Sequence, residues 1–203
     1  MGFYERNILP YLISRGMQNK AISKYRPIIP PQAEKRVLEI GMGSGLNIPY
    51  YTESVEHLFG LEPSEKLLQE AVIYAADAPF PVDLLEASAE DIPLENDSVD
   101  TVVSTWSLCS IPDVENALLE MRRVLKPQGR LLLIEHGRAP DTGVAKWQDR
   151  LAPVFRGLAG CNPNRPIDHL LEDAGFDCSD IEQNYMDGPR FISYHYIGQA
   201  SPR

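Results

Sequence analysis

From Arg36 onward, short runs rich in Val, Leu and Ile alternate with stretches whose apolar residues recur every three or four positions. That alternation predicts a parallel sheet with helices on both faces. The runs Arg36–Gly41, His57–Glu62, Val82–Ala87, Val99–Ser107 and Arg130–His136 predict five strands. Between the fourth and fifth, Val114, Ala117, Leu118, Met121 and Leu125 keep helical spacing behind Asp113, a natural N-cap, and Lys126-Pro127-Gln128-Gly129 ends that helix. Val144, Trp147, Leu151 and Phe155 form another apolar stripe, which predicts Trp147 in the core and a kink at Pro153. A loop from Gly160 to Pro166 leads to a short helix ending near Gly175. Two further strands, Cys178–Tyr185 and Arg190–Gly198, turn through Met186-Asp187-Gly188-Pro189 as an antiparallel hairpin. The sheet is thus seven-stranded: five parallel strands plus the C-terminal hairpin. Residues 1–30 read as helix broken by Pro10, Gly16 and Pro27, a flap packed on the domain formed by residues 31–203.

At 203 residues, 43% hydrophobic and 24% charged, the chain suits one α/β domain with a substantial core. Its longest wholly aliphatic run, Leu131 to Ile134, is far shorter than the roughly 20 residues that cross a bilayer, and no signal-type stretch opens the chain. Nineteen basic against 29 acidic residues give a net charge of −10, which disfavours phosphate backbones and excludes a nucleic-acid partner from the reading. The charge is uneven: Arg6, Arg15, Lys20, Lys24 and Arg26 against Glu5 make the first 26 residues +4, leaving −14 for the rest. This segment is either a solvated helical face or a basic flap for an anionic ligand or, weakly, a membrane surface. Cys109, Cys161 and Cys178 are odd in number and contain no Cys-x-x-Cys pair. They suggest neither a disulfide framework nor a metal site, and they point to a reducing cytoplasm.

The chemistry concentrates in Val37-Leu38-Glu39-Ile40-Gly41-Met42-Gly43-Ser44-Gly45, a buried strand entering a glycine-rich turn. In an open α/β sheet, a turn at the carboxyl end of the first strand faces the nucleotide crevice. Glu62 ends the second strand 21 positions after Gly41, where a carboxylate can accept both ribose hydroxyls. The spacing is Gly-x-Gly-x-Gly rather than the Gly-x-Gly-x-x-Gly of pyrophosphate binders. A structural tight turn and a nicotinamide or flavin enzyme remain alternatives. On these residues the sequence resembles the class I S-adenosylmethionine-dependent methyltransferases from about Arg36 to Gly198. The resemblance implies a Rossmann-like α/β fold and a cofactor site of Glu39, Gly41, Gly43, Gly45, Glu62, Pro63, Ser88, Ala89, Glu90, Thr105 and Trp106. Within it, Glu39 holds the loop or, through water, the cofactor's amino group. Glu62-Pro63-Ser64 matches the ribose-binding acid, and Ser88-Ala89-Glu90-Asp91-Ile92-Pro93 matches the adenine-contacting segment. The resemblance also implies S-adenosylmethionine as cofactor and S-adenosylhomocysteine as product.

The second half, Trp106 to Ile111, Glu135-His136, Trp147-Gln148, Gly160-Cys161-Asn162 and Arg165, is similar to the animal thiol methyltransferases and to small bacterial phospholipid or quinone methyltransferases. The resemblance implies methyl transfer to hydrogen sulfide or a small alkyl thiol such as methanethiol. The alternatives are N-methylation of a phospholipid amine, C-methylation of a quinone ring, or a non-catalytic S-adenosylmethionine sensor. The animal members carry a hydrophobic N-terminal anchor with no counterpart in this sequence, which favours a soluble small-molecule acceptor. His136, just past the fifth strand, is the candidate base, with a hydrogen-bonded structural histidine as the alternative. Tyr4, Cys109, Asn162 and Arg165 are candidate acceptor-pocket residues. His57 and His169 read as surface positions, and His195 as a mid-strand residue away from the crevice.

Overall fold

The computed structural model describes residues 9–203. The strands are β1 (Lys35–Ile40), β2 (Val55–Leu61), β3 (Val82–Leu85), β4 (Val99–Thr105), β5 (Leu125–His136), β6 (Phe176–Tyr185) and β7 (Tyr194–Pro202). They form one sheet in the order β3-β2-β1-β4-β5-β7-β6. The first five run parallel, and β7 is antiparallel to both β5 and β6. Successive residues of the inner strands face opposite cores, so their sequences are almost continuously apolar. Leu38, Ile40, Leu131 and Leu133 join one cluster with Leu118 and Met121, whereas Val37, Leu132 and Ile134 join the other with Leu58 and Leu68.

The helices are α1 (Leu9–Met17), α2 (Lys20–Ser23), α3 (Glu65–Ala76), α4 (Val114–Val124), α5 (Thr142–Ala159) and α6 (Ile167–Asp173). Asp113 caps α4 as expected, its carboxylate accepting from Asn116 N–H at 3.1 Å. Helix α4 stops at Val124 and β5 begins at once, earlier than the sequence pattern indicates. Leu125 pairs with Val99 and Arg130 with Thr101, so a register shift absorbs Lys126–Gly129. Gly129 is required there because a Cβ would lie 2.8 Å from the Asp100 carbonyl and 2.6 Å from the Leu125 side chain.

Helix α1 packs against α3 and α5, and Ser14 Oγ donates to Glu70 at 2.7 Å. Two cations of the basic segment are engaged within the protein: Lys24 pairs with Asp187, and Arg26 is buried. Helix α5 contains Pro153 and runs on to Ala159, capped by Gly160 in the left-handed conformation at φ 66°, and the correction it calls for concerns Trp147 alone. Trp147 is 56% exposed rather than core, because Ala145, Gln148 and Ala152 form the inward face. Among the described residues, no helix is long and apolar enough to cross a membrane. The two faces of this packing make opposite demands on mutation. Met121→Ala, which empties a fully buried position, should cost about 2–5 kcal/mol, and Trp147→Ala should change stability by no more than roughly 0.5 kcal/mol. Denaturant unfolding of both variants checks this, and equal losses would place Trp147 in a packed environment.

Candidate active site

The carboxyl ends of β1, β2, β4 and β5 converge where the chain reverses direction across the sheet, between β1 and β4. This is the point at which open α/β sheets form a crevice. Ile40 leads into Gly41, Gly43 and Gly45, which have φ of 61°, 58° and 77°. A Cβ on Gly41 would meet Ser107 Cβ at 2.7 Å, so glycine is what lets the loop close on β4's exit. A Cβ on Gly43 would meet nothing within 4 Å, which leaves that side of the loop open to a ligand. Glu62 spans the gap from β2: one carboxylate oxygen accepts from Gly43 N–H at 3.1 Å and the other from Ser64 N–H at 3.0 Å. Each oxygen retains a lone pair for a further donor. Burial pushes the Glu62 carboxyl up, and the two backbone N–H groups oppose the shift.

Glu39 is 1% exposed and lies beneath the loop. It accepts from Asn47 Nδ2 at 2.7 Å and from Tyr51 Oη at 2.9 Å. Of the two expected roles, the geometry shows direct contacts that hold the loop. Burial pushes its pKa up to about 7, against the opposing effects of Tyr51, Asn47 and Arg26. Asn47 Nδ2 also donates to Thr105 Oγ1 at 2.8 Å, and Arg26 donates to Asn47 Oδ1 at 2.6 Å and to the Met17 carbonyl at 3.1 Å. The Arg26 guanidinium stands 5.5 Å from the Trp106 ring centroid. The sequence marks Arg26 only as a cation of the basic segment, and nothing local marks Asn47 and Tyr51. Their hydrogen-bond partners lie up to 58 residues away.

The Ser88-Ala89-Glu90 turn follows β3. Ala89 is buried. Glu90 accepts from Asp113 N–H at 2.6 Å and from Ser88 Oγ at 3.2 Å, tying this turn to the start of α4. Pro63 is exposed beside Glu62. Trp106 has a positive φ of 53°, and its indole N–H donates to His195 Nε2 at 3.0 Å. His195 sits opposite His136 in the β5–β7 register, 6.1 Å between ring centroids. The mid-strand assignment for His195 is therefore wrong: β7 begins at Tyr194, so an antiparallel strand brings its first residues to the crevice end of β5.

Around His136 the structure gathers groups from two loops, residues 106–113 and 160–166. Cys161 Sγ lies 3.3 Å from His136 Nε2, whereas His136 Nδ1 is buried and has no partner. Asn162 donates to the Cys109 carbonyl from both its backbone N–H (2.9 Å) and its Nδ2 (3.0 Å). Arg165 donates to the carbonyls of Leu108 and Ile111. Asn162 and Arg165 thus direct their donors to the 108–112 backbone, and Tyr4 lies outside the described residues. Glu135 accepts from Ser104 Oγ at 2.8 Å and Ser107 N–H at 2.9 Å. Burial, with Cys109 next in importance, pushes Glu135 up to about 7. A hydrogen bond from Cys161 lowers the Cys109 thiol despite burial, whereas Cys161 itself is raised. Burial opposes charge on His136, but Cys109 and Glu135 outweigh it and raise the imidazole.

A family of methyltransferase domains matches residues 38–133. Over 178 residues the chain is 30% identical to the human thiol S-methyltransferase TMT1A, with 84% of this chain and 72% of that one aligned. The chain belongs to the S-adenosylmethionine-dependent methyltransferases. A mitochondrial methyltransferase of Saccharomyces cerevisiae, OMS1, is 26% identical over 91% of this chain, which spans only 43% of that relative's length. A putative methyltransferase of Haloferax volcanii, solved with its Trm112 activator, superimposes at TM-score 0.70 over 98% of this chain and 99% of its own, at 19% identity, a likeness of fold. The cofactor of the methyltransferase is S-adenosylmethionine, and the open side of Gly43 and the remaining lone pairs of Glu62 suit its amino-acid and ribose portions.

Burial lowers the pKa of His195 to about 4. With Trp106 donating to Nε2 and Nδ1 placed 2.8 Å from the Ser193 carbonyl, the ring is a neutral Nδ1–H tautomer. Against an unfolded value of about 6.5, this neutral ring contributes stability that is fully present above about pH 6.5 and is lost as the pH falls toward about 4. An NMR titration of the His195 ring should therefore show its inflection near pH 4. An inflection near 6.5 would put the ring in water.

Proposed function

We propose that this methyltransferase methylates the sulfur of a small thiol or of hydrogen sulfide. The observation that carries the reading is the buried, unpartnered Nδ1 of His136 at the carboxyl end of β5. S-adenosylmethionine supplies a methyl group made electrophilic by its sulfonium, and the acceptor must then arrive aligned and deprotonated. A free thiol has a pKa of about 8.5, so near neutrality most of it is protonated and unreactive. With Nε2 engaged by Cys161, Nδ1 is the nitrogen left to receive the thiol proton. The kinship with a human thiol S-methyltransferase supports the same acceptor class.

Gly41, Gly43 and Gly45 leave room for the cofactor's methionine end, and Glu62 accepts from its ribose hydroxyls. Ser88, Ala89 and Glu90 border the adenine, and Thr105 and Trp106 line the side toward the acceptor. Glu39 acts from beneath, as the anchor of Asn47 and Tyr51. Residues 9–30 serve as a cover, which Arg26 fastens to Asn47 and lays against Trp106. Cys109 borders the acceptor space, while Asn162 and Arg165 fix the shape of the 108–112 loop.

A plate of sulfide, alkyl thiols, phosphatidylethanolamine vesicles and a demethylated quinone, scored for S-adenosylhomocysteine, tests the acceptor. Turnover should appear with sulfide and alkyl thiols. Turnover confined to the lipid or quinone would overturn the thiol assignment, and cofactor binding without turnover on any acceptor would make the protein a sensor. His136→Ala tests the proton acceptor. At pH 7 its kcat/KM for a thiol should fall roughly 10²-fold with cofactor affinity unchanged, and the deficit should shrink as the pH passes the acceptor's about 8.5. A deficit independent of pH would assign His136 a purely structural part.

A further inference from the structure

We propose that Cys109, Cys161 and His136 form a binding site for zinc(II), three protein ligands with a fourth position open to water or a small thiolate. Their ligand atoms all lie within 4.8 Å of one another, and the Cys161 Sγ to His136 Nε2 separation is 3.3 Å. Around a tetrahedral zinc, with bonds of about 2.3 Å to sulfur and 2.0–2.1 Å to nitrogen, neighbouring ligand atoms stand about 3.5–3.8 Å apart. The triad needs adjustments of only a few tenths of an ångström to about one ångström to reach that shape. Two thiolates and one imidazole suit zinc, whereas magnesium and calcium prefer oxygen ligands.

The two cysteine loops are held in place before any ion arrives. The double hydrogen bond from Asn162 to the Cys109 carbonyl joins them, and Arg156 Nε donates to Asn162 Oδ1 at 2.7 Å. Left-handed Gly160 turns the chain out of α5, and Cys161 N–H reaches back to the Phe155 carbonyl at 3.4 Å. His136 is fixed by its pairing opposite His195 at the end of β5. Cys109 and His136 are 3% and 9% exposed and Cys161 is half-buried, so the site is enclosed with its entrance on the Cys161 side. Binding one ion releases two thiol protons and leaves a neutral set of Zn²⁺, two thiolates and imidazole.

The site stands without the thiol-acceptor reading, but one consequence rests on that reading. An ion on Nε2 leaves the ring's own proton on Nδ1, so a zinc-loaded protein lacks the open nitrogen assigned to the acceptor's proton. Zinc should then slow thiol methylation.

Cobalt(II) titration of the full chain, freed of metal and kept reduced by a phosphine, tests the site itself without reference to activity. One equivalent should develop a sulfur-to-cobalt charge-transfer band and strong tetrahedral visible bands, and one equivalent of zinc should erase both. Cys161→Ser, with a half-buried side chain, should lose most of the charge-transfer intensity and bind zinc at least about tenfold more weakly. Cys178→Ser, outside the cluster, should retain both. Calorimetry with S-adenosylhomocysteine confirms that each variant is folded. Pale octahedral spectra without charge transfer, or an unaltered band in Cys161→Ser, would overturn the site. Retention of the band with no thiol turnover would uphold the site and reject the acceptor reading alone.

Discussion

A carboxylate removed from water must find donors or surrender its charge, and this constraint at Glu39 organises the crevice. Its donors, Asn47 and Tyr51, come from the chain just beyond the glycine loop, so satisfying the acid fixes where that loop ends. Asn47 is then spoken for on every side, by Glu39 and Thr105 at its amide nitrogen and by Arg26 at its oxygen. One buried acid therefore joins β1, the exit of β4 and the N-terminal cover. The buried Arg26 guanidinium reaches that acid's partner through one terminal nitrogen and the Met17 carbonyl through the other, while its Nε has no partner.

The same device recurs along the sheet. Glu62 pins Gly43 and Ser64, and Glu135 pins Ser107 beside the left-handed Trp106. Burial raises the pKa of all three acids. For Glu39 and Glu135 the folded value of about 7 lies above the ordinary carboxyl value. Their contribution to stability is therefore complete below about pH 4.3 and is lost as the pH rises through about 7. That sign is opposite to His195's, and the rigid loops of the crevice are obtained at some cost in stability near neutrality.

What the sequence discloses and what it conceals follow from the range of each interaction. The strand-to-glycine turn and Glu62 are legible because backbone conformation and strand position are local properties of Ile40 to Gly45 and of one strand's end. Trp147 misleads because helical spacing reports that a face is apolar, not which of two neighbouring faces is inward. Ala145, Gln148 and Ala152 claim that place in α5. His195 escapes because its relation to His136 is created by antiparallel pairing across a chain separation of 59 residues. Rules of cysteine spacing detect ligand pairs carried on one turn. They are blind to Cys109 and Cys161, which two separate loops bring together around a histidine.

Charge bears on which acceptor can reach such a site. With Arg26 buried and Lys24 held by Asp187, two of the five cations expected on a basic flap are already committed within the protein. What remains faces a chain of net charge −10, a poor surface for a phosphate-bearing acceptor. On the proposed thiol reading, the acceptor approaches as a neutral molecule, indifferent to that field, and becomes anionic only on losing its proton inside. There Cys109 and Glu135 raise the imidazole of His136 against the opposing effect of burial, which favours holding the proton on the ring. Ionising the nucleophile only after entry reconciles an acidic exterior with a reaction that requires an anion.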